Sequence, residues 1–224
     1  MVRRNTRPWT AGGLLPGLVV LCVAFTAGCG SKPAYYRNDT AGVEPGTRVA
    51  VLPLVNLTRD VNAPDVVMNA IVVELLATNR FVVVDPGIVD EVIQRERIRL
   101  TDRIPLETLQ GLGAALGVDY VFVGSVNEYQ MTKEAQDFIP TVSIALRMVS
   151  CTTGAIVWAS THAKRGNDTE SIFTLGRVDT LEELTSIIAR EMAETVLPDP
   201  GPKKSVETTA PADTVKTDET SNTP

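Results

Sequence analysis

The sequence is poor in the residues from which most catalytic and metal sites are built. Its 224 residues include one histidine, His162, and only three cysteines. A single histidine argues against a metal site that needs several imidazole ligands. The sequence also lacks a G-x-S-x-G elbow, a P-loop and an H-E-x-x-H pattern. It therefore predicts no catalytic residue, no cofactor and no metal ligand, and we expect His162 to be a satisfied or surface histidine.

A disulfide is excluded by the positions of the cysteines. Cys22 lies inside an apolar N-terminal segment and Cys29 directly follows it. If that segment is removed and Cys29 carries lipid, Cys151 has no partner within the chain. No histidine or basic residue adjoins Cys151 in the sequence, so a small, partly buried side chain is favoured over a nucleophile.

Clusters of basic residues are also absent. The formal net charge is −6. Loss of Arg3, Arg4 and Arg7 with the N-terminal segment would leave 18 basic against 27 acidic residues, a net charge of −9. Binding to a nucleic-acid backbone needs clustered lysine and arginine. We therefore expect no nucleic-acid partner.

The N-terminus has the three parts of a bacterial export signal. Basic residues precede an apolar stretch, Leu14–Gly28, which is too short and too broken by Pro16 for a transmembrane span. Thr26-Ala27-Gly28-Cys29 then resembles a lipobox, in which the cysteine is diacylated, although leucine is more usual at the position of Thr26. The alternative is an ordinary secretory signal that happens to contain Cys29.

The first half of the remaining chain predicts a parallel β-α-β unit. Thr47–Val55 is a continuous apolar run typical of a central strand, which should stop pairing near Pro53. A helix is predicted from Pro64, with Asn62 as its N-cap, and Phe81–Val84 is predicted as the next strand. Two further helices are indicated. One begins at Asp85-Pro86, and the other spans Pro105–Leu116 with Gly117 as a C-terminal cap.

The second half predicts an antiparallel meander between Gly117 and Arg165. In its middle strand, apolar residues alternate with small or polar ones. Thr152-Thr153-Gly154 is predicted as a short turn, and Gln130–Phe138 as a longer polar turn. Thr180 and Glu183 have the spacing of a capping box that starts a last helix. The predicted apolar face of the middle strand is Val142, Ile144, Leu146 and Met148, opposite Thr141, Ser143, Ala145 and Arg147.

These elements predict an α/β fold with a mixed sheet, parallel in its N-terminal part and antiparallel in its C-terminal part, with helices packed on it. The predicted organisation is a signal peptide at 1–28, a lipidated Cys29 and flexible tether at 29–46, an α/β domain at 47–197 and a disordered tail at 198–224.

Four segments then resemble, in order and spacing, the superfamily of the curli secretion-channel lipoprotein (CsgG-type) and the penicillin-binding-protein activator lipoprotein (LpoB-type). They are VAVLPLVNLTRD at 49–60, ELLATNRFVVVD at 74–85, GVDYVFVGSVNEY at 117–129 and LRMVSCTTGAIVWAS at 146–160. The resemblance implies a three-layer α/β domain without enzymatic activity, held by lipid at the outer membrane and facing the periplasm. Gly30, rather than aspartate, after the lipidated cysteine fits outer-membrane sorting in this superfamily.

The channel-forming relatives insert two long hairpins into the bilayer. The segments at Gln130–Phe138 and Arg165–Val178 are too short for strands of about 9–11 residues each. We therefore expect no pore. The leading hypothesis is a non-catalytic lipoprotein that binds or scaffolds another envelope protein in secretion, surface assembly or cell-wall synthesis. The alternatives are a ring-forming curli-type component made of several copies of the chain, and an enzyme of unrecognised type.

Loops carry function more often than the elements that they connect. The best candidates for a binding surface are therefore the loop Asn56–Ala63 and the predicted turn Gln130–Phe138. The sequence identifies neither the partner protein nor the envelope process.

Overall fold

The computed structural model describes residues 32–99, 104–168 and 176–197. Within these ranges the chain forms seven strands and four helices. The strands are β1 (Ala34–Arg37), β2 (Thr47–Val51), β3 (Val55–Asn56), β4 (Phe81–Val83), β5 (Tyr120–Glu134), β6 (Asp137–Ser150) and β7 (Ile156–Arg165). The helices are α1 (Ala63–Ala77), α2 (Pro86–Arg95), α3 (Leu106–Leu116) and α4 (Leu181–Val196).

All seven strands belong to one sheet, in the order β1-β7-β6-β5-β2-β4, with β3 also paired to β5. The strand β2 is parallel to β4 and to β5, whereas β5, β6 and β7 form an antiparallel meander. The predicted mixed sheet, with a parallel N-terminal part and an antiparallel C-terminal part, is confirmed.

The interruption after β2 follows from proline chemistry. Val49, Ala50 and Val51 are almost fully buried, as expected for a strand covered on both faces. The backbone N–H of Leu52 still donates to Phe122 O at 2.9 Å. Pro53 has no N–H to donate, so the ladder breaks there and resumes in β3.

Three of the four predicted helix-terminal residues act as expected. The Asp85 carboxylate accepts from the Gly87 N–H at 2.8 Å, and the Thr180 hydroxyl accepts from the Glu183 N–H at 3.2 Å. Gly117 adopts the left-handed conformation, with φ of 63°, at the end of α3. The prediction for Asn62 is wrong: its side chain caps nothing, and its backbone N–H donates to Asp60 Oδ1 instead.

The two faces of the sheet are covered unequally. Helices α1 and α4 lie over one face and enclose the larger core, in which the Phe122 ring packs edge-on against Phe81 and Trp158. Helices α2 and α3 cover only part of the other face, around Leu52, Val121 and Cys151. The molecule therefore has three layers at one end of the sheet and two layers at the other.

The segment from Gly30 to Gly46, interpreted from sequence as a flexible tether, requires a correction. Its residues Ala34–Arg37 form β1, which pairs antiparallel with β7. The Ser160 hydroxyl donates to Ala34 O at 3.1 Å, and the Arg37 guanidinium donates to Thr195 O at 3.2 Å. The free edge of β7 supplies the backbone partners that order this polar segment. The signal peptide, Cys29 and the tail at 198–224 lie outside the described residues.

The prediction of a long turn at Gln130–Phe138 is also wrong. Strand β5 continues to Glu134 and β6 begins at Asp137, so the connection is only two residues, Ala135 and Gln136. Ala135 has a φ of 52°, as tight hairpins require at one or both central positions. Polar residues alternate across this hairpin, and ion pairs from Arg165 to Glu134 and from Arg177 to Asp137 support it.

Candidate interaction surface

The face of β5, β6 and β7 opposite α1 and α4 is a shallow groove. Ser125, Ala145 and Thr161 lie side by side across the three strands. Because these side chains are small, they leave a concavity of about 720 Å³ above the sheet. We call this concavity the groove; it is lined by Leu52, Pro53, Val55, Leu57, Ile104, Val123, Gly124, Ser125, Ala145, Leu146, Arg147, Ile156, Ala159, Ser160 and Thr161.

Apolar side chains form the rim of the groove. Leu57 stands above it with 64% of its surface exposed, and Ile156 is 46% exposed at its lower end. Arg147 is the one charged residue among those that line it. An apolar rim around a floor of hydroxyl groups, with a single cation, is a surface suited to a protein partner rather than to bond-breaking chemistry.

Gly124 keeps the floor of the groove flat. A Cβ atom at this position would lie 2.2 Å from the backbone oxygen of Ala145 and 3.0 Å from Leu146. Any side chain would therefore push β5 away from β6. The close approach of these two strands depends on the glycine.

The same face becomes polar toward the β5–β6 turn. A second concavity of about 400 Å³ lies there, with Glu128, Gln130 and Thr132 on β5 and Thr141 on β6. The hydroxyl groups of Thr132 and Thr141 are 3.1 Å apart and hydrogen-bonded. The open face thus changes from apolar to hydrogen-bonding along the strands.

The two segments predicted as binding surfaces contribute unequally to this face. In the loop Asn56–Ala63, the Asn56 side chain accepts from the Thr58 N–H at 2.9 Å, which fixes a tight turn. This turn presents Leu57 to the groove. The segment Gln130–Phe138 contributes Gln130 and Thr132 to the polar end. Sequence reasoning placed Ser143, Ala145 and Arg147 together on one strand face but did not identify that face as uncovered.

His162 lies on the covered face, where it joins a buried polar cluster. Its Nε2 atom is 2.5 Å from Glu191 Oε2, and Lys164 Nζ is 2.5 Å from Glu191 Oε1. His162 and Lys164 are both buried, so Glu191 of α4 satisfies two polar groups of β7 at once. Burial acts to raise the pKa of Glu191, but the hydrogen bonds from Lys164 and His162 hold that pKa below its usual value.

Cys151 belongs to the core beneath α3, on the other side of the sheet from His162. Burial, with a smaller effect from the Asp119 charge, raises the pKa of its thiol to about 11. A Cβ at Gly113 would lie 2.6 Å from Cys151 Cβ, so the run of glycines in α3 serves close packing. The sheet separates Cys151 from His162, and the two do not form a nucleophile and base pair.

Among the residues at 32–99, 104–168 and 176–197, no three His, Cys, Asp or Glu side chains are grouped so as to hold a metal ion. In the same ranges, no helix combines the length and the hydropathy needed to cross a bilayer. The groove and its polar extension are therefore the largest candidate surface of the described chain.

A family comparison decides the relationship. The model of the family described as peptidoglycan-synthase activator LpoB matches residues 29–163, more than half of the chain. The chain belongs to the LpoB family. The match includes every residue that lines the groove and ends before α4. No curated protein sequence matches the chain significantly.

Solved structures share the general architecture. The PelC dodecamer from Paraburkholderia phytofirmans is 15% identical with a TM-score of 0.49, over 71% of this chain and 95% of that one. Lipoprotein GNA1162 from Neisseria meningitidis is 22% identical with a TM-score of 0.49, over 66% and 99%. The LpoB C-terminal domain from Escherichia coli is 17% identical with a TM-score of 0.40, over 55% and 85%. Such values do not establish a shared function.

Proposed function

We propose that this LpoB-family chain is a non-catalytic lipoprotein that binds and activates a peptidoglycan synthase through the groove. Lipid on Cys29 anchors it to the outer membrane, and its α/β domain faces the periplasm. The observation that carries the proposal is the open sheet face with small residues and an apolar rim, in a chain whose family activates such a synthase.

The contents of the groove favour binding over catalysis. Its floor holds Ser125 and Thr161, but no carboxylate, histidine or cysteine lies among its lining residues. Exposed apolar rims such as that of Leu57 and Ile156 commonly mark protein interfaces. The one cation, Arg147, suits a partner segment that brings an acidic or polar residue to the centre of the contact.

Filling the groove tests this proposal. Ala145→Trp places an indole on the floor and should abolish stimulation of the chain's own peptidoglycan synthase, measured as the rate of glycan polymerisation by the purified synthase. Asn69→Trp, on the exposed side of α1, is the matched control and should stimulate as the unmodified chain does. Full stimulation by a correctly folded Ala145→Trp variant, or no stimulation by the unmodified chain, would contradict the proposal.

The prediction that the chain forms no pore remains, on a corrected basis. Beyond the rest of the sheet, β5 and β6 extend as a ribbon of five residues each, Gln130–Glu134 and Asp137–Thr141. A membrane-spanning strand needs about 9–11 residues, so this ribbon is too short. Purified lipoprotein in planar bilayers should give no reproducible conductance.

A further inference from the structure

The ribbon formed by Gln130–Glu134 and Asp137–Thr141 projects from one end of the sheet. Thr141 pairs with Arg165, the last residue of β7, and the ribbon continues beyond that pair. Strand β1 runs antiparallel to β7, with Ala34 beside Thr161 and Arg37 beside Trp158. The first residue of β1 therefore lies toward the same end of the sheet as the ribbon.

The reach of the chain on either side can be compared. Cys29 precedes Ala34 by five residues, so at about 3.5 Å per residue it lies within about 18 Å of Ala34. The path from Thr161 to Arg165, and then from Thr141 to Asp137, covers eight residue steps along the strands. At about 3.3 Å per residue, the ribbon tip extends about 26 Å beyond the level of Ala34.

The ribbon tip therefore reaches at least as far as a lipid on Cys29 can. When β1 points its start toward the bilayer, the tip meets the bilayer surface as well. The first 28 residues do not alter this bound, since only the short segment between Cys29 and Ala34 sets it.

One face of the ribbon has the chemistry of a lipid-contacting surface. Lys133 pairs with Phe138, and Met131 pairs with Pro140, so these side chains share that face. Phe138 is 59% exposed and Met131 is 41% exposed. Exposed apolar side chains beside a lysine favour the boundary between phospholipid headgroups and acyl chains.

The acidic residues of the ribbon lie on its other face and are paired. The Arg165 guanidinium forms an ion pair with Glu134, and Arg177 Nη1 is 3.2 Å from Asp137 Oδ2. Their charges are offset by these partners. The apolar face with Lys133 can therefore approach anionic headgroups although the chain as a whole is acidic.

We propose that Met131, Lys133 and Phe138 rest in the headgroup region of the phospholipid bilayer to which Cys29 anchors the chain. The occupant of this surface is the bilayer itself, and the contact is peripheral because the ribbon is too short to span. The inference rests on the lipid anchor of the proposed function. It orients the strands toward the membrane and leaves the groove, beside Ser125 and Thr161, accessible from the periplasm.

The test uses the full lipidated chain in vesicles of phosphatidylethanolamine and phosphatidylglycerol. Gln136→Cys, in a Cys151→Ala background, carries an environment-sensitive fluorophore at the ribbon turn without altering the three contacting residues. The matched control is the same fluorophore on Thr152→Cys, in the exposed turn at the opposite end of β6. Some of the phospholipids carry a nitroxide on the headgroup.

We expect a blue shift and quenching of the Gln136 probe, and neither change at the Thr152 probe. Replacing both Met131 and Phe138 with serine should abolish the blue shift, while stimulation of the synthase by the groove persists. An unquenched Gln136 probe on a chain that floats with the vesicles would overturn the ribbon contact and leave the proposed function intact. A chain that does not float, as expected for Cys29→Ser, would overturn the anchor and with it this inference.

Discussion

The two faces of the antiparallel meander are built from the same three strands but carry opposite side chains. On the covered face Phe122, Ile144 and Trp158 are at most 1% exposed beneath α1 and α4. On the open face Ser125, Ala145 and Thr161 are small and lie under no helix of the described chain. The alternation of a strand thus assigns stability to one face and leaves the other for a partner.

The sharpest test of this division replaces neighbours that point to opposite faces. Trp158→Ala should lower the free energy of unfolding by about 3–5 kcal/mol, because it leaves a cavity in the core. Ala159→Ser, one residue along on the open face, should change it by less than about 0.5 kcal/mol. Urea denaturation followed by circular dichroism measures both. Equal losses would contradict the division into a structural and a binding face.

The second test removes the buried ion pairs from the covered face. Glu191→Gln leaves Lys164 without a charged partner and should destabilise the fold by about 1.5–3 kcal/mol. The folded-state pKa of Glu191 lies below its ordinary value of 4.5, so its contribution is complete above that value. The contribution is lost as the pH falls through the lowered pKa, and the difference from the variant should shrink accordingly.

Unfolding measured from neutral to acidic pH checks this sign. Glu194→Gln, on the exposed side of the same helix, is the control and should be almost neutral at every pH. A difference between Glu191→Gln and the unmodified chain that grows on acidification would contradict the assignment.

The third test concerns glycines on and away from the open face. Gly124→Ala places a Cβ 2.2 Å from Ala145 O and should cost about 1–3 kcal/mol, since the floor strands must separate. Gly111→Ala, in α3, meets no atom within 4 Å and should stabilise the chain by about 0.5–1 kcal/mol. Thermal unfolding separates the two, and a neutral Gly124→Ala would show that the floor is not tightly spaced.

The smallest effect is expected at Cys151. Because burial raises its pKa to about 11, the thiol should not react with a thiol reagent at pH 8 while the chain is folded, and should react rapidly in urea. Replacing it with alanine should leave stimulation of the synthase unchanged. Rapid labelling of the folded chain would indicate an accessible site that the packing against Gly113 excludes.

Local signals predicted much of this fold. The alternation from Val142 to Met148, the Asp85-Pro86 start and Gly117 act within a few residues, and all three are present in the structure. By contrast, Ala34–Arg37 becomes a strand only because β7, more than 120 residues away, offers an edge. The ribbon was missed because its alternation is polar on one side, and polar residues also indicate turns.

The candidate site was less predictable for a related reason. The sequence placed Ser143, Ala145 and Arg147 on one strand face, but the exposure of that face depends on where the helices pack. Helix α4 is held to the covered face by Glu191, which contacts His162 and Lys164 from 27 or more residues away. No local pattern encodes that choice, so the groove emerged only from the assembled sheet.

Site-specific photo-crosslinking tests the central claim, that the open face binds the synthase, most directly. A photo-reactive amino acid at Thr161 lies in the groove, and the same residue at Val73 lies on the exposed side of α1. In cells, the account predicts an adduct with a peptidoglycan synthase from position 161 and none from position 73. A synthase adduct from position 73 alone would contradict it.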